Sequence, residues 1–376
     1  MLLALAAGQG WSVAQTDIEQ AFLHGVLNDV DLYINPPARY PTIWVLRQGQ
    51  DILVHGLYAD DFLHFSNRTA VYSNFRDQIK SRFDIKTGPV DVYLGNKICV
   101  DKEKFNASID QTSYVDELLA RFGLMDCQPV GTPIVVRLSN MDRGKPISKE
   151  EHAVYRNMVG SLLYLSCWSR PDICFAVSEL SRFVADPGET HLKAAKRVLR
   201  YLKGTREFRL NYSRPEDAML NQLWGFVDSD WAGCPDSRKS TTGYVLMLNG
   251  AAISWKSKRQ NVVALSSAEA EFMAASLLVQ EVMYIRKLLE RLGFLQSGPT
   301  PIFEVNRTCI AWSEGSVGGS DRAKHIDLRC HFVHEAVKSG TLTLRVVNSS
   351  DNVADLLTKP LPEPAFKVLR KRLMGF

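Results

Sequence analysis

Apolar and polar positions along this chain fall into blocks whose spacing predicts separate elements. The opening MLLALAAGQGW is a short apolar run that reads as a helix end. It is too short to span a membrane and lacks the basic start of a signal peptide. SVAQTDI reads as a strand closed by Asp17, with Ala21, Phe22 and Leu23 in a short helical turn after it. An acidic residue where a strand gives way to a helix is a usual place for a cap or a metal ligand. Leu32-Tyr33-Ile34 reads as a strand stopped by Pro36-Pro37. Residues 43–46 and 51–58 read as a strand pair leading into Asp60-Asp61, and the apolar Leu63 and Phe65 follow. Two carboxylates between two apolar runs predict a hairpin turn. Their repulsion is relieved equally by water on an acidic turn or by a bound divalent cation.

Further on, 71–83 is amphipathic and 97–100 strand-like, and a helix over 114–122 ends at Gly123. Residues 139–150, rich in Ser, Asn, Gly, Pro and charge, predict a linker. Most of 152–203 is helical in pattern. Val159, Gly160, Leu162 and Leu163 form the face of a first helix that stops before Arg170-Pro171-Asp172. A second helix follows Asp186-Pro187 and runs through Leu202. It sets Lys193, Lys196, Arg197, Arg200 and Lys203 on one side, with Ala194, Val198, Leu199 and Leu202 as the buried side. Such a basic stripe suits a phosphate backbone, and it equally suits an ordinary solvated face.

From Leu223 the pattern restarts with strand-like runs at 224–227, 243–248 and 252–255. A long helix comes next, with Ser266 and Glu269 as a capping box and Gly293 as its stop. Ala274, Leu278, Val282, Ile285 and Leu289 make its apolar face. A strand at 301–305, helices at 308–313 and 331–338, and a strand at 342–347 lead to the segment 351–357. The basic tail 366–372 reads as a surface helix.

Length and composition place the chain among globular proteins. Its 376 residues are enough for two or three domains, and 45% are hydrophobic against 23% charged. A net charge of +4 permits a nucleic-acid partner without requiring one. The seven cysteines are scattered, with no C-x-x-C pair, so a disulfide framework or a cysteine zinc site is not expected and a reducing compartment fits. His325, His331 and His334 raise the question of zinc, but no further ligand has a suitable spacing, and they read as structural or solvated.

Several blocks carry a more specific message. TDIEQAFLHG…LYINPP and GLYADDFLHF resemble the palm of copia-type retrotransposon reverse transcriptases, and FDIKTGPVDVYLGNKI…DQTSYVDELLARFGL…PVGTP resembles the palm end and thumb. YRNMVGSLLYLSCWSRPDICFAVSELSRF…HLKAAKRVLRYLKGT is similar to that family's connection region. DSDWAGCPDSRKSTTGY and SSAEAEFMA resemble its ribonuclease H domain. The resemblance covers nearly the whole chain. It implies a multidomain α/β and α+β fold: a palm remnant over 1–66, palm end and thumb over 67–140, a helical connection over 141–215, and a ribonuclease H-like mixed sheet flanked by helices over 216–376.

It also implies residues and partners. Asp17, Asp60 and Asp61 would be catalytic in the palm, with Asp17 and Asp60 holding two Mg²⁺ ions. Asp228, Glu271 and Asp355 would be the catalytic, metal-holding carboxylates of the ribonuclease H domain. Two divalent ions roughly 4 Å apart activate the attacking oxygen and neutralise the leaving one, and hard oxygen ligands hold them. Mn²⁺ would be a substitute. The family's partner is an RNA/DNA hybrid or primer-template, with no membrane and no small-molecule cofactor beyond the nucleotide. Its setting is intracellular, cytoplasmic or nuclear, in virus-like particles.

Three departures qualify those implications. The long segment that separates the proline pair from the aspartate hairpin is missing, since Tyr40 runs almost at once into Ile43. The fingers expected before the Asp17 block are absent as well. Without cationic groups to orient a triphosphate, polymerase activity is expected to fail. In the C-terminal domain the family's IYCDNQSAI is replaced by IFEVNRTCI, so Val305 stands where a ligand aspartate is usual. Neighbouring strand residues face opposite ways, so Glu304 is expected to point elsewhere and hydrolysis to be much weakened. A non-catalytic nucleic-acid-binding transposon remnant is the alternative.

Overall fold

A computed structural model of the chain describes residues 1–18, 43–58, 61–315 and 324–376. The expected helical turn at 21–23, the strand at 32–34 and Asp60 lie outside the described residues. The chain forms two compact units, one of residues 1–110 and 211–221 and the other of 111–210 and 222–376. No helix among the described residues is long and apolar enough to cross a membrane.

The first unit opens with helix α1 (Leu2–Gln9), in which Leu3, Ala4, Leu5, Ala6 and Ala7 are all buried. A helix apolar on every side must be covered all round. Gly10 ends it at φ 66°, and a Cβ there would lie 2.7 Å from the Phe105 ring, so both conformation and space require glycine. Strands β1 (Ser12–Ile18), β2 (Ile43–Gln48), β3 (Asp51–Tyr58), β4 (Asp61–Ser66) and β5 (Ile85–Pro89) make one sheet in the order β2-β3-β4-β1-β5. Every neighbouring pair in it is antiparallel. Helix α2 (Thr69–Lys80) packs Val71, Phe75 and Ile79, one turn apart, against Leu53 of β3. Strands β6 (Val92–Tyr93), β7 (Asn96–Asp101), β8 (Asn106–Asp110) and β9 (Leu210–Ser213) form a second sheet in sequence order.

Inside the first sheet, His55 of β3 and His64 of β4 are cross-strand partners. Both are buried, and their Nδ1 atoms lie 2.6 Å apart. One ring must donate and the other accept, so both are neutral and of opposite tautomer. The Phe75 ring stacks on His55 at 4.1 Å. Burial holds His64 down at about 3, and burial with the neighbouring ring holds His55 well below its usual value.

The second unit begins with α3 (Thr112–Arg121) and a helical layer of α4 (Lys149–Trp168), α5 (Cys174–Ser181) and α6 (Glu189–Gly204). Ser148 and Glu151 cap α4 reciprocally, which is why the linker ends there. Val198, Leu199 and Leu202 lie on the buried face of α6 as expected, with Ala195 in place of Ala194. Then come β10 (Trp224–Ser229), β11 (Thr241–Leu248), β12 (Ala251–Arg259), α7 (Ser267–Arg291), β13 (Thr300–Glu304), α8 (Arg307–Ser313), α9 (Lys324–Lys338), β14 (Leu342–Val346) and α10 (Glu363–Met374). The sheet order is β12-β11-β10-β13-β14, with β12, β11 and β10 antiparallel and β13 and β14 parallel to β10. Ser266 caps α7 by accepting the Glu269 N–H, while Glu269 reaches back to the N–H of Leu265, one residue earlier than the usual box.

A buried polar network ties the helical layer to the end of the chain. Arg170 grips Asp172 with two bonds, Nε to Oδ1 at 2.9 Å and Nη2 to Oδ2 at 2.8 Å, and also donates to Thr205. The Tyr201 hydroxyl donates to the same carboxylate, and Arg370 of α10 donates to that hydroxyl at 3.0 Å. The last helix is therefore not the surface helix its basic composition suggested. Phe366, Leu369, Arg370, Leu373 and Met374 are buried, because the charged tips of α10 hide an apolar stripe.

The neutral histidine pair predicts acid sensitivity. The unfolded state takes up protons below about pH 6.5 while the folded pair resists, so stability falls as pH drops through that value towards 3, by up to about 1.4 kcal/mol per pH unit for each ring. Thermal melts of the wild type should weaken between pH 7 and pH 5. Replacing both histidines by leucine should flatten that slope, and an unchanged slope would show the pair to be irrelevant to it.

Candidate active site

The second unit collects carboxylates at one end of its sheet. Asp228 lies near the end of the central strand β10, opposite Gly243 of β11. A Cβ on Gly243 would meet the Thr358 methyl at 2.6 Å and the Leu357 Cβ at 2.9 Å. Glycine there lets the 3₁₀ turn Val353–Leu357 settle on the sheet beside Asp228. Asn352, fully buried, fixes that turn by donating to the Val227 carbonyl at 3.0 Å and accepting from the Ala354 N–H at 3.1 Å. Asp355 is carried on this turn, and the Thr358 hydroxyl donates to Asp228.

Glu271 comes from the early part of α7, and the backbone N–H of Ser229 donates to its carboxylate. Gln260 strengthens the same junction. Its amide donates to Ser229 Oγ, Thr242 Oγ1 and the Ala270 carbonyl, joining β10 and β11 to the helix turn that carries Glu271.

The fourth carboxylate departs from the sequence expectation. Glu304 has no solvent exposure and shares the electrostatic environment of Glu271, Asp228 and Asp355. Strand alternation alone directs it away from Asp228, because Phe226 pairs with Phe303 across the parallel strands. Yet Glu304 is the last residue of β13, where the pleat ends. Backbone N–H groups of Val305 and Asn306 donate to its carboxylate, the latter at 2.8 Å, so the side chain follows the turn. The sequence signal was the acidic residue at a strand's end, the same signal that marked Asp17.

Burial raises the pKa of three of these groups, and the other carboxylates raise it further. Glu304 is pushed up to about 8, Asp355 to about 7, and Glu271 well above its usual value. One oxygen of Glu271 and one of Glu304 are buried with no hydrogen-bond partner among the described residues. Lys359 stands among them, its Nζ 3.0 Å from Asp355 and 3.7 Å from Asp228. Two residues after Asp228, the buried Asp230 pairs with Arg137, which also donates to the Thr358 carbonyl and to Thr241. Arg137, Gln260, Thr358 and Lys359 escaped sequence reasoning. Thr358 and Lys359 lie in the same DNVADLLTKPL block as Asp355, whereas Arg137 gave no signal beyond a lone cation after an apolar run.

The donor set, all carboxylate oxygen, has the chemistry of a hard divalent cation site. As arranged, no three His, Cys, Asp or Glu side chains among the described residues form a group ready to hold a metal ion. In the first unit, Asp17 and Asp61 are direct cross-strand partners on β1 and β4, so both side chains leave the same face of the sheet. Burial and the nearby Asp61 charge raise Tyr93 to about 12.

The basic stripe on α6 is partly structural. Arg197 donates to Thr132 Oγ1, Arg200 to the Gln128 carbonyl and Lys203 to the Cys127 carbonyl, so three of its cations hold the 127–132 segment. Lys193 pairs with Glu189 at 2.6 Å, and Lys196 is exposed. His334 contacts the Ser313 carbonyl through Nδ1.

The sheet order β12-β11-β10-β13-β14, with a long helix between the third and fourth strands, defines the second unit as ribonuclease H-like. Residues 39–136 match the family model for "Reverse transcriptase (RNA-dependent DNA polymerase)". All of this chain aligns at 31% identity with 32% of the retrovirus-related Pol polyprotein from transposon TNT 1-94 of Nicotiana tabacum. At 30% identity, 60% of it aligns with 72% of the putative transposon Ty5-1 protein YCL074W of Saccharomyces cerevisiae. Among solved structures, a foamy viral protease-reverse transcriptase in complex with RNA/DNA hybrid aligns over 92% of this chain and 45% of that one, at 9% identity and a TM-score of 0.47. The chain belongs to the retrovirus-related Pol polyproteins of copia-like retrotransposons, and it spans about a third of the length of the tobacco relative.

Buried like charges store destabilisation that a neutral isostere should release. In EDTA, Glu304→Gln is expected to raise the melting temperature by a few degrees, roughly 2–4 °C per kcal/mol for a unit of this size. The gain should grow as pH rises from about 4.5 and level off above about 8, where the wild-type carboxyl is ionised in the folded state as well. A lowered melting temperature at high pH would contradict the charge argument.

Proposed function

We propose that the second unit is a divalent-metal-dependent nuclease of the ribonuclease H type that cuts the RNA strand of an RNA/DNA hybrid. The observation that carries this reading is the burial of four carboxylates from four different elements in one electrostatically shared patch. Asp228, Glu271, Glu304 and Asp355 would hold Mg²⁺, or Mn²⁺ in its place. When bound, such ions would activate a water and stabilise the departing 3′-oxygen. The chain's own groups prepare the patch: Ser229 orients Glu271, Asn306 orients Glu304, and Asn352 fixes the turn beneath Asp355. Glu304 takes the part that Val305 has no oxygen to play, its carboxylate being held by two backbone N–H groups.

Polymerase chemistry receives less support. Asp17 and Asp61 stand side by side, as a palm metal site with Asp60 would need, but the segment that would bind nucleotide is shortened between Tyr40 and Ile43. For contact with a nucleic-acid backbone, Lys196 and Lys193 are the exposed members of the α6 stripe. The second reading, a nucleic-acid-binding remnant without catalysis, is favoured by the Lys359 ammonium lying among the carboxylates.

Cleavage of a labelled RNA/DNA hybrid in Mg²⁺ or Mn²⁺ separates these readings. We expect slow cleavage that Glu304→Gln lowers by about tenfold or more, a loss of the size seen when one transition-state-stabilising group is removed. Val305→Asp should change the rate little. A large rise with Val305→Asp and no effect of Glu304→Gln would instead make Val305 the defect. Hybrid binding with no cleavage under either ion would favour the non-catalytic remnant. In a primer-extension assay on an RNA template, the wild type should not exceed Asp17→Asn. Extension abolished by that substitution would overturn the proposed loss of polymerase chemistry.

A further inference from the structure

Lys359 is the feature of this patch that the proposed hydrolysis does not use. It follows directly on the turn that carries Asp355, and its ammonium reaches two carboxylates from different elements, Asp355 at 3.0 Å and Asp228 at 3.7 Å. The two carboxylates are almost fully buried, whereas the lysine side chain is 36% exposed. A flexible four-carbon stem with one end open to solvent can withdraw its charge without disturbing the sheet. Beside it, Glu271 and Glu304 each keep a buried oxygen without a hydrogen-bond partner among the described residues. So many acceptors with so few donors leave negative charge that the protein neutralises only in part.

We propose that Lys359 is a tethered counter-cation, which offsets the charge of Asp228 and Asp355 when no divalent ion is bound and competes with such an ion for them. This inference rests on the metal-site reading above and deepens it, by making the affinity for metal a property set by a side chain that is not itself a ligand. An ammonium this close to two carboxylates is the cation already seated where a divalent ion would sit. Two of the four acids are turned to this ammonium. Gln260 and Arg137, which also lie near, cannot substitute for it. Gln260 is neutral, and Arg137 is committed to Asp230.

The inference is tested on the full chain with Mn²⁺ as the probe, free ion being counted by its paramagnetic resonance signal, and by melting in EDTA. Lys359→Met keeps the stem and removes the charge, while Lys359→Arg keeps a cation. We expect Lys359→Met to bind Mn²⁺ about tenfold more tightly, within the 5–150-fold typical of coupled sites, and to melt lower than the wild type in EDTA. Lys359→Arg should stay near the wild type in both measurements. Equal or weaker Mn²⁺ binding by Lys359→Met overturns the counter-cation while leaving the metal site standing. Mn²⁺ binding by neither protein overturns the metal-site reading and this inference with it. Should Lys359→Met fail to fold in EDTA, recovery of its folded signal by Mn²⁺ supports the inference, and failure to recover at saturating Mn²⁺ overturns it.

Discussion

Carboxylates repel one another, and repulsion between buried ones is poorly screened. The second unit nevertheless brings four of them to one end of its sheet, and much of its architecture can be understood as the means of holding them there. A glycine on β11 lets a turn approach closely enough to deliver Asp355. A buried asparagine pins that turn to β10, and a buried glutamine joins β10 to α7. Backbone N–H groups receive Glu271 and Glu304. Each device is a hydrogen bond or a missing side chain, worth about a kilocalorie per mole alone. Together they oppose a spread of the acids that electrostatics would otherwise favour. This is the pattern of a functional site, where local stability is given up for a charge arrangement that something else must complete.

Much of this was legible in the sequence because the chain is locally consistent. Alternation placed the antiparallel strands, three- and four-residue spacing placed the helices, and Ser266 with Glu269 marked the start of α7. What was illegible depends on detail below the periodic pattern. Strict alternation sent Glu304 away from Asp228, and it fails at the final residue of a strand, where backbone donors in the following turn can draw a side chain round. The α6 stripe was correctly basic, but composition cannot reveal that three of its cations are committed to carbonyls and a hydroxyl of another segment. The face of α10 was hidden for a related reason, since lysine and arginine tips dominate a reading of charge while the buried side is set by Phe366, Leu369 and Leu373.

The first unit shows the opposite balance. Its hairpin aspartate Asp61 and its partner Asp17 are placed by register alone, and the sheet behind them is held by apolar packing and by a neutral histidine pair. There the polar core is uncharged, although each ring leaves its Nε2 buried without a hydrogen-bond partner among the described residues. In the second unit the polar patch gathers acids whose charge Lys359 offsets only in part, the charged counterpart of the neutral histidine pair.

The Arg170–Asp172–Tyr201–Arg370 network has a consequence for how such chains can be inherited and cut. It fastens a helical segment early in the second unit to the last helix of the chain through the Arg370–Tyr201 hydrogen bond, and leaving a buried donor without its partner costs about 1–3 kcal/mol. Trp255 of β12 adds a second fastening through the Ser166 carbonyl of α4. A break placed before the first strand of the ribonuclease H-like sheet would therefore part the Arg370 guanidinium from the Tyr201 hydroxyl instead of releasing a finished module. Recombination that preserves both sides of that fastening keeps a foldable unit, and recombination that passes between them does not. The module that can travel intact thus begins well upstream of the residues that give the domain its chemistry.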